Sequence, residues 1–593
     1  MFTPFRDGLQ SVFGGKTRLQ DILPAIEASA AAGIRHFEFG GGARFQAPFF
    51  YVGEDPFHCM SEIRKTVGPE PDLQILTRSV SGVTLTTQRT SALALQAKLM
   101  HKHGTTIDRN FDFMNDVDNL VKTGRPIVDS GMHHQVCVAL MGLPFQSDQA
   151  HTPEFYINIV RELLKRDIHF DSVCIKDASG TTDPHTCHET AKGIKAILPP
   201  EIPLIQHTHD TASTAVACYM AGIAGGVDGI DLAVRPLASG TSQPDVRSMA
   251  HALKGTGYSL NIDHMKMDEI ESLLNEGLSE YEFNPVTTSA DARVVGFPMP
   301  GGAIGPNVHM MQSAGILDKY GAVLAEFPEV VRAGGGWTSV TPGSQQYWLQ
   351  AFNNVLHGRW KKIDAGFGKS VLGYFGKPPL SPDPEVVKIS AQQLELPPFD
   401  GDPLEEAPDT LAEAETALKE RGIEVTDENR FLVAAAIVPG KNMELNEGIR
   451  LLEGRSKITL PLKKKEPIGG GAALTAPTKT NITVSEGGKT RIYEVIIEPP
   501  ASTTTPASGQ SQQSANGGGQ TTDVFSPFEG NVELVEINVK VGDAVTQGQV
   551  VAAVEAMKAK HDVKAPCSGR VAAVHAVIGN EVSAGKPILT IEV

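Results

Sequence analysis

No stretch of this chain stays apolar for the ~18 residues that a membrane-spanning helix needs, and Met1 is not followed by a charged and then apolar leader. That pattern points to a cytoplasmic protein. None of the 6 cysteines (Cys59, Cys137, Cys174, Cys187, Cys218, Cys567) forms a Cys-x-x-Cys pair, which argues against disulfide frameworks and thiolate zinc sites. Positive charge is in short supply. The 52 Lys and Arg face 69 Asp and Glu, giving a formal charge of −17 that argues against an electrostatic nucleic-acid footprint. No segment has the full Gly-x-x-x-x-Gly-Lys-Ser/Thr spacing, so the P-loop signature is missing too. What remains is length and apolar content. At 593 residues, 41% hydrophobic and 20% charged, the chain can bury several cores, and roughly three to five domains are expected.

Residues 1–259 alternate short strand-like runs with amphipathic helical stretches such as "GKTRLQDILPAIEASAAAG" and "TPEFYINIVRELLKRD". The strand candidates are Phe2–Phe5, His36–Phe39, Leu73–Thr77, Thr105–Phe113, His134–Met141, Ser172–Lys176, Ile202–His207 and Gly229–Val234. Such a series of β-then-α units in about 250 residues fits a (β/α)8 TIM barrel better than an open doubly wound sheet, which has fewer strands. Residues 260–465 change to helical patterns broken by Pro/Gly loops and read as an α-helical second domain. Residues 466–500 form a connector in which "NITVSEGGKTRIYEVIIEP" alternates around Gly487-Gly488, a hairpin signal.

Residues 501–523, "ASTTTPASGQSQQSANGGGQTTD", have almost nothing to bury and read as a flexible linker, with an r.m.s. span of roughly 25–30 Å. Residues 524–593 are β-rich and internally repeated: Pro527-x-x-Gly530 answers Pro566-x-x-Gly569, Gly542 answers Gly579, and Gly548 answers Gly585. Two similar halves predict a pseudo-symmetric β-sandwich. Between them lies "EAMKAK", with Lys558. An ordinary solvated turn lysine is the common case. A lysine on a rigid small domain with a long tether is instead suited to carry a group. This stretch resembles a biotinyl domain in its Ala-Met-Lys core, its flanking Pro-x-x-Gly marks and the 35 residues after the lysine. Lipoyl domains share the fold but read Asp-Lys-Ala, and Ala559 stands where biotinyl domains commonly have Met. The resemblance implies biotin on Lys558, attached by a biotin protein ligase.

A TIM barrel builds its site at the C-terminal ends of its strands. The residues there are Arg6, Asp7 and Gln10 in "RDGLQS", Arg78, Lys176 and Asp177 in "IKDASG", His207, His209 and Asp210 in "HTHD", and Thr241 and Gln243 in "SGTSQP". His207 and His209, two apart on an extended strand, face the same way. Alone they fit a hydrogen-bonded loop pair equally well; with Asp7 on the same barrel face they suit a divalent metal such as Zn, Mn or Co. Lys176 could pair with Asp177. Alternatively, burial beside another cation would leave it a neutral amine able to add CO2 as a carbamate, an anionic metal ligand.

Taken together, "RDGLQS", "FDFMND", "IKDASG", "HTHDTAS", "GTSQPDV", "FPMPGGAI" and "VTPGSQQ" make residues 1–465 similar to the carboxyltransferase subunits of biotin-dependent enzymes acting on 2-oxo acids. These include the oxaloacetate decarboxylase α subunit, the corresponding subunit of pyruvate carboxylase and the transcarboxylase 5S subunit. The resemblance implies that Asp7, carbamylated Lys176, His207 and His209 bind the metal. It implies that Arg78 clamps the substrate carboxylate with Gln10 and Arg6 nearby, and that Thr241 relays a proton between biotin and the substrate methyl carbon. The chain departs from these relatives at Gly8-Leu9, where they read Ala-His, and at Gln46 and Leu85, where they carry an Asp/Tyr pair near the biotin pocket.

The expected activity is carboxyl transfer between biotin and a pyruvate- or oxaloacetate-type 2-oxo acid, through CO2 and an enolate. Loading the biotin would need a separate biotin carboxylase subunit. In the decarboxylating direction a membrane decarboxylase subunit would discharge it, and the family implies a homo-oligomer. Three rivals stand beside this reading. One is another acceptor, 2-oxoglutarate or an acyl-CoA. A second is a metal-dependent aldol-type lyase, since "RDGLQ" also occurs in the hydroxymethylglutaryl-CoA lyase family. The third is a non-catalytic carrier scaffold.

Overall fold

The computed structural model of the chain describes residues 1–438, 442–463, 478–486, 489–497, 521–556 and 559–593. Two compact units result: Met1–Pro461 together with Thr521–Val593, and Leu462–Gln520. In the first, strands β1 (His36–Gly41), β2 (Asp72–Thr77), β3 (Ile107–Phe111), β4 (His133–Leu140), β5 (Ser172–Asp177), β6 (Leu204–Thr208) and β7 (Gly229–Ile230) form one parallel sheet in sequence order. Phe2 bridges in parallel to Phe37 on one side and to Leu232 on the other, so the sheet curls back on itself. The eighth stave's place is thus held by a single bridged residue, where the sequence suggests a strand over Phe2–Phe5. Pro4 cannot donate to a ladder, and Pro4–Gly8 coil into a tight π-helical turn instead.

Helices cover the outside of the barrel. Several open on a capping side chain followed by proline: Asp55 accepts from Phe57 N, Thr152 from Phe155 N and Asp183 from Thr186 N, each just before a helix that begins Pro56, Pro153 or Pro184. The period of two divides each strand between layers. On β4 and β5, Val136, Val138, Val173 and Ile175 pack outward with Tyr156, Val160 and Ile194 of the helices. Cys137 and Cys174 turn the other way. They share a core with Phe111, Phe113, Trp337, Tyr347 and Phe367, the last three of which belong to the helical region that follows. The Trp337 and Tyr347 rings stack at 4.5 Å with a 2° interplanar angle. The helices Gly301–Ser313, Tyr320–Gly334 and Gly343–His357 therefore form a roof seated on the barrel by apolar burial.

The remaining strands are antiparallel. β8 (Thr478–Glu486) and β9 (Lys489–Ile497) pair with Glu486 opposite Lys489; the expected Gly487-Gly488 turn lies outside the described residues. At the C-terminus, β10 (Thr521–Val524), β12 (Ala544–Val545), β15 (Gly569–Val574) and β17 (Leu589–Glu592) make one sheet. β11 (Val532–Ile537), β13 (Val550–Ala556), β14 (Ala559–Lys564) and β16 (Glu581–Val582) make the other. The repeat explains the pairing. β12 of the first half joins β15 of the second, while β16 of the second joins β11 of the first, so each half lends a short strand to the other's sheet. Gly542 and Gly579 turn the chain at equivalent points with φ of +96° and +89°. β10 begins at Thr521, just before the expected start at 524, because its Thr-Thr-Asp-Val run pairs with β17. The rest of the expected linker, and Lys558, lie outside the described residues; the strands flanking Lys558 pair with Ala556 opposite Ala559.

Gly41, at the mouth end of β1, has φ of +77°, and a Cβ there would stand 2.3 Å from the Leu76 carbonyl oxygen. Gly41→Ala should therefore lower the melting temperature by roughly 5 °C or more in a thermal melt. An unchanged melt would mean that the β1–β2 contact yields freely.

Candidate active site

Six segments converge at the mouth of the barrel. Arg6 and Asp7 come from the turn after Phe2, Gln10 from the helix Leu9–Phe13, and Arg78 follows β2. Lys176 lies on β5, His207 on β6, and His209 follows it. One oxygen of Asp7 lies 3.1 Å from His207 Nε2 and 3.2 Å from His209 Nε2. Lys176 Nζ is 2.6 Å from His207 Nε2 and 3.5 Å from the same Asp7 oxygen. Asp177, the other partner considered for Lys176, is instead engaged by the turn after β5: it accepts from the backbone N–H groups of Ser179, Gly180 and Thr182.

Both histidines are held in one tautomer. His207 Nδ1 is 2.8 Å from Asp231, and His209 Nδ1 is 2.7 Å from the carbonyl oxygen of Thr241. Each acceptor takes the Nδ1 proton and leaves an Nε2 lone pair aimed at Asp7. Burial, together with the charge of Lys176, pushes the His207 imidazolium down, so the ring is neutral. Burial alone would push the Asp7 carboxyl up, but Arg6, Lys176 and His209 outweigh it and hold it well below the usual range. Asp231 is held low in the same way, against burial, by Arg109 and His207. The Asp7, His207 and His209 donor atoms lie within 4.8 Å of one another. Two imidazoles and one carboxylate, each oriented from behind, fit a divalent cation.

Beside this cluster is a small cavity of about 30 Å³, on a measure by which one water needs roughly 10–15 Å³. Asp7, Lys176 and His209 line it on the barrel side, with Gln10 and Arg78 at its rim and Gly302, Ala303 and Thr341 from the roof. Arg78 is 3% exposed and donates to the carbonyl oxygens of Val83 and Thr84 at 3.0 and 2.9 Å. Among the described residues no carboxylate pairs with it. Burial, with Arg6 nearby, pushes its guanidinium down to about 9. Arg6 itself is committed to Glu38 and Asp7. The cavity opens past Gln10, Arg78 and Thr341 into an outer one of about 290 Å³, whose wall includes Gln46 and Leu85, the two positions of departure, with Lys16, Phe50 and Tyr51.

Thr241 requires a correction. Its hydroxyl is fully buried and donates to the carbonyl oxygens of Ser11 and Thr287 at 3.1 and 2.8 Å, away from the cavity. What Thr241 gives the site is its backbone carbonyl, which orients His209. The threonine whose side chain belongs to the cavity wall is Thr341, and among the described residues its hydroxyl takes no hydrogen-bond partner. Asp231 is a further residue absent from the expected set, and Gln243, expected at the mouth but given no role, reaches the cluster. The Gln243 amide nitrogen lies 3.1 Å from Asp7, 3.3 Å from His207 Nε2 and 3.1 Å from His209 Nε2. Thr341 and Gln243 both stand in conspicuous strings, "VTPGSQQ" and "GTSQPDV"; Asp231 has no local signal.

Three family models match the chain: HMGL-like over residues 65–274, a conserved carboxylase domain over 294–480, and a biotin-requiring enzyme domain over 522–591. A pyruvate carboxylase subunit of Methanocaldococcus jannaschii is 31% identical, over 94% of this chain and 93% of its own. The chain belongs to the biotin-dependent carboxyltransferases. The 2-oxoglutarate carboxylase large subunit of Hydrogenobacter thermophilus is 29% identical, over 94% of this chain and 89% of its own. Among solved structures, the carboxyl transferase domain of Rhizobium etli pyruvate carboxylase with pyruvate and biocytin superimposes with a TM-score of 0.67. At 22% identity, over 95% of this chain and 88% of that one, this likeness is one of fold. No helix among the described residues is long and apolar enough to cross a membrane.

The purified biotin-dependent enzyme should carry about one divalent ion per chain, and His209→Asn and Asp7→Asn should each lose most of it. Elemental mass spectrometry decides; a full metal complement in His209→Asn removes that side chain from the donor set.

Proposed function

We propose that this chain transfers a carboxyl group between biotin carried on Lys558 and the methyl carbon of a pyruvate-type 2-oxo acid. The observation that carries the reading is Arg78, a buried guanidinium with no carboxylate partner among the described residues, at the rim of a small cavity beside the metal-type donors. A bound carboxylate would supply the missing counter-charge through a bidentate pair. Gln10 lies alongside, its side-chain oxygen already accepting from Arg6 and from Ala43 N at 3.2 Å each, which leaves its amide group to donate to the substrate. Asp7, His207, His209 and Lys176, the last as a carbamate, would hold a divalent metal. Such an ion supplies Lewis-acid stabilisation of the negative charge that develops on the 2-oxo oxygen. Biotin supplies the mobile carboxyl carrier.

Thr341 is the group we assign to proton handling. A hydroxyl both donates and accepts, so it can relay a proton between the biotin nitrogen and the methyl carbon as the carboxyl group moves the opposite way. The roof keeps water from this step: Pro300, Gly302, Ala303 and Val340 close the inner cavity. Charging the biotin would fall to a separate ATP-using biotin carboxylase subunit, or discharging it to a decarboxylase subunit in the opposite direction. The archaeal relative, itself one subunit of a pyruvate carboxylase, supports the former.

A second acceptor, 2-oxoglutarate, is favoured by the outer cavity, where Lys16, with Nζ 4.2 Å from the Tyr51 ring centroid, could meet a second carboxylate. A panel of 2-oxo acids in the exchange assay separates the two acceptors.

Lys558→Ala should abolish the streptavidin-detected biotin; a biotinylated variant would move the attachment elsewhere. In oxaloacetate-to-biotin transfer, Thr341→Val should lose roughly 100-fold or more. Thr241→Val should keep most of the rate but melt lower, because it abandons two buried carbonyl acceptors. The opposite ranking returns the relay to Thr241. Pyruvate should raise the melting temperature of the native enzyme and leave that of Arg78→Met unchanged.

A further inference from the structure

Inward residues of a (β/α)8 barrel are usually bulky and apolar. This barrel departs from that rule behind the cation cluster. Gln135 and Ser172 lie two residues before Cys137 and Cys174 and share their inward side. With Gln74 of β2 and Arg109 of β3 they form a polar belt, and all four are buried. Arg109 is its centre. Its Nη1 donates to Asp231 Oδ2 at 2.5 Å, the same oxygen that lies 2.8 Å from His207 Nδ1. The Gln135 side-chain oxygen is 2.5 Å from Arg109 Nε, and its amide nitrogen donates to the Ser172 hydroxyl at 2.9 Å. Gln74, with its amide nitrogen turned toward His36 Nε2 at 2.8 Å, accepts from Arg109 Nη2 at 3.2 Å. The other oxygen of Asp231 takes no hydrogen bond among the described residues. The Met1 nitrogen lies 3.8 Å from it but donates to the Ile230 carbonyl at 2.9 Å.

A side chain that orients a metal-binding imidazole does so only if it is itself held. His207 cannot hold Asp231, because His207 is what Asp231 has to orient. The second anchor of that carboxylate is Arg109. Counting the Phe2 bridge as a stave, β3 and the end of β7 stand on opposite walls, so the contact spans the barrel. A guanidinium suits this span. Its planar fork gives Nε and Nη2 to the two glutamine oxygens while Nη1 reaches Asp231. An apolar layer would fill the same space and leave Asp231 buried without a counter-charge. We propose that Arg109 is a positioning residue for the metal centre: anchored by Gln74 and Gln135, it pins Asp231, and Asp231 fixes the His207 ring so that Nε2 faces the site shared with Asp7 and His209. The proposal rests on the reading that His207 is a metal ligand. The competing role for Arg109 is stabilisation of the barrel interior with no effect on the site.

The test uses the full-length biotinylated enzyme, stripped with a chelator and titrated with Co2+ in bicarbonate buffer, because the visible absorption of Co2+ reports both occupancy and ligand geometry. Arg109→Met should weaken Co2+ binding roughly 10- to 100-fold and change the shape of the visible band. Arg109→Lys, which keeps a cation but loses the fork, should fall between that variant and the native enzyme. Melts of the metal-free proteins separate position from stability. Arg109→Met alone should melt lower, since Asp231 is left unpaired. Adding Asp231→Asn should recover much of the melting temperature while Co2+ binding stays roughly tenfold or more below native. Native affinity with a native band in Arg109→Met, or native affinity regained together with stability in the double variant, makes Arg109 a support of the fold alone and overturns the proposal. Where Arg109→Met gives no folded protein, Arg109→Lys decides, and native affinity with an unchanged band overturns it. A native enzyme that takes up no Co2+ overturns the metal reading itself, and the assignment of Arg109 with it.

Discussion

Everything at the barrel mouth depends on one buried carboxylate. Asp7 sits where Arg6, Lys176, His207 and His209 converge, and all of them are buried. A single carboxylate cannot balance a guanidinium, an ammonium and two imidazoliums in such a place. The chain resolves this by giving the cations other acceptors. Glu38 takes Arg6, while Asp231 and the Thr241 carbonyl accept from Nδ1 of the two histidines and fix how each ring presents Nε2. A carbamate on Lys176 would remove the remaining excess by converting a cation to an anion. A divalent ion would then find a donor set already charged for it. The electrostatics that make the cluster awkward as a bare protein make it apt as a cation site.

The roof enforces that arrangement. Without the apolar core that joins Phe111, Phe113, Cys137 and Cys174 to Trp337, Tyr347 and Phe367, the mouth would be open to solvent and the charges screened. The same roof brings in Thr341, Gly302 and Ala303 to complete the inner cavity. Stability and chemistry are therefore coupled through one interface. It is the roof, more than the barrel, that sets the size of what can bind beside Arg78.

How much of this is legible in the sequence follows from the range of the signals. Period-two alternation and the strand–helix rhythm are local. They locate seven strands to within a few residues and put Asp7, Lys176, His207 and His209 at strand ends, where the structure gathers them. The first strand candidate fails because Pro4 diverts a run whose hydrophobicity looks extended. Thr241 attracts notice by its place after the last barrel strand. A rule that reads only those loops cannot see Thr341, which reaches the cavity from a separate region through tertiary packing. Asp231 is invisible for a similar reason: its importance lies in a contact across 24 residues with His207, and nothing in its own neighbourhood marks it. In the carrier the repeat does convey the topology, because equal halves that exchange one short strand each must show equal turn marks.

The departures at Gln46 and Leu85 fall on the wall of the outer cavity, and neither touches the cation cluster. Gln46 does approach Arg78, at 3.4 Å, with its side-chain oxygen as acceptor. An aspartate there would neutralise Arg78 and compete with a substrate carboxylate; a glutamine accepts one hydrogen bond and leaves the charge in place. Leu85 presents no hydroxyl where a tyrosine would. The outer cavity is thereby less acidic and more apolar than that Asp/Tyr pair would make it, while the inner cavity keeps its guanidinium, its metal-type donors and its threonine. The physical consequence is a division of labour. On the proposed reading the inner cavity would set the reacting carboxylate and methyl group, and the outer one, bordered by Lys16 and by the end of β13, would set what can stand behind them. Variation in acceptor among such enzymes can then arise at the outer wall without disturbing the balance of charge on which the cluster around Asp7 depends.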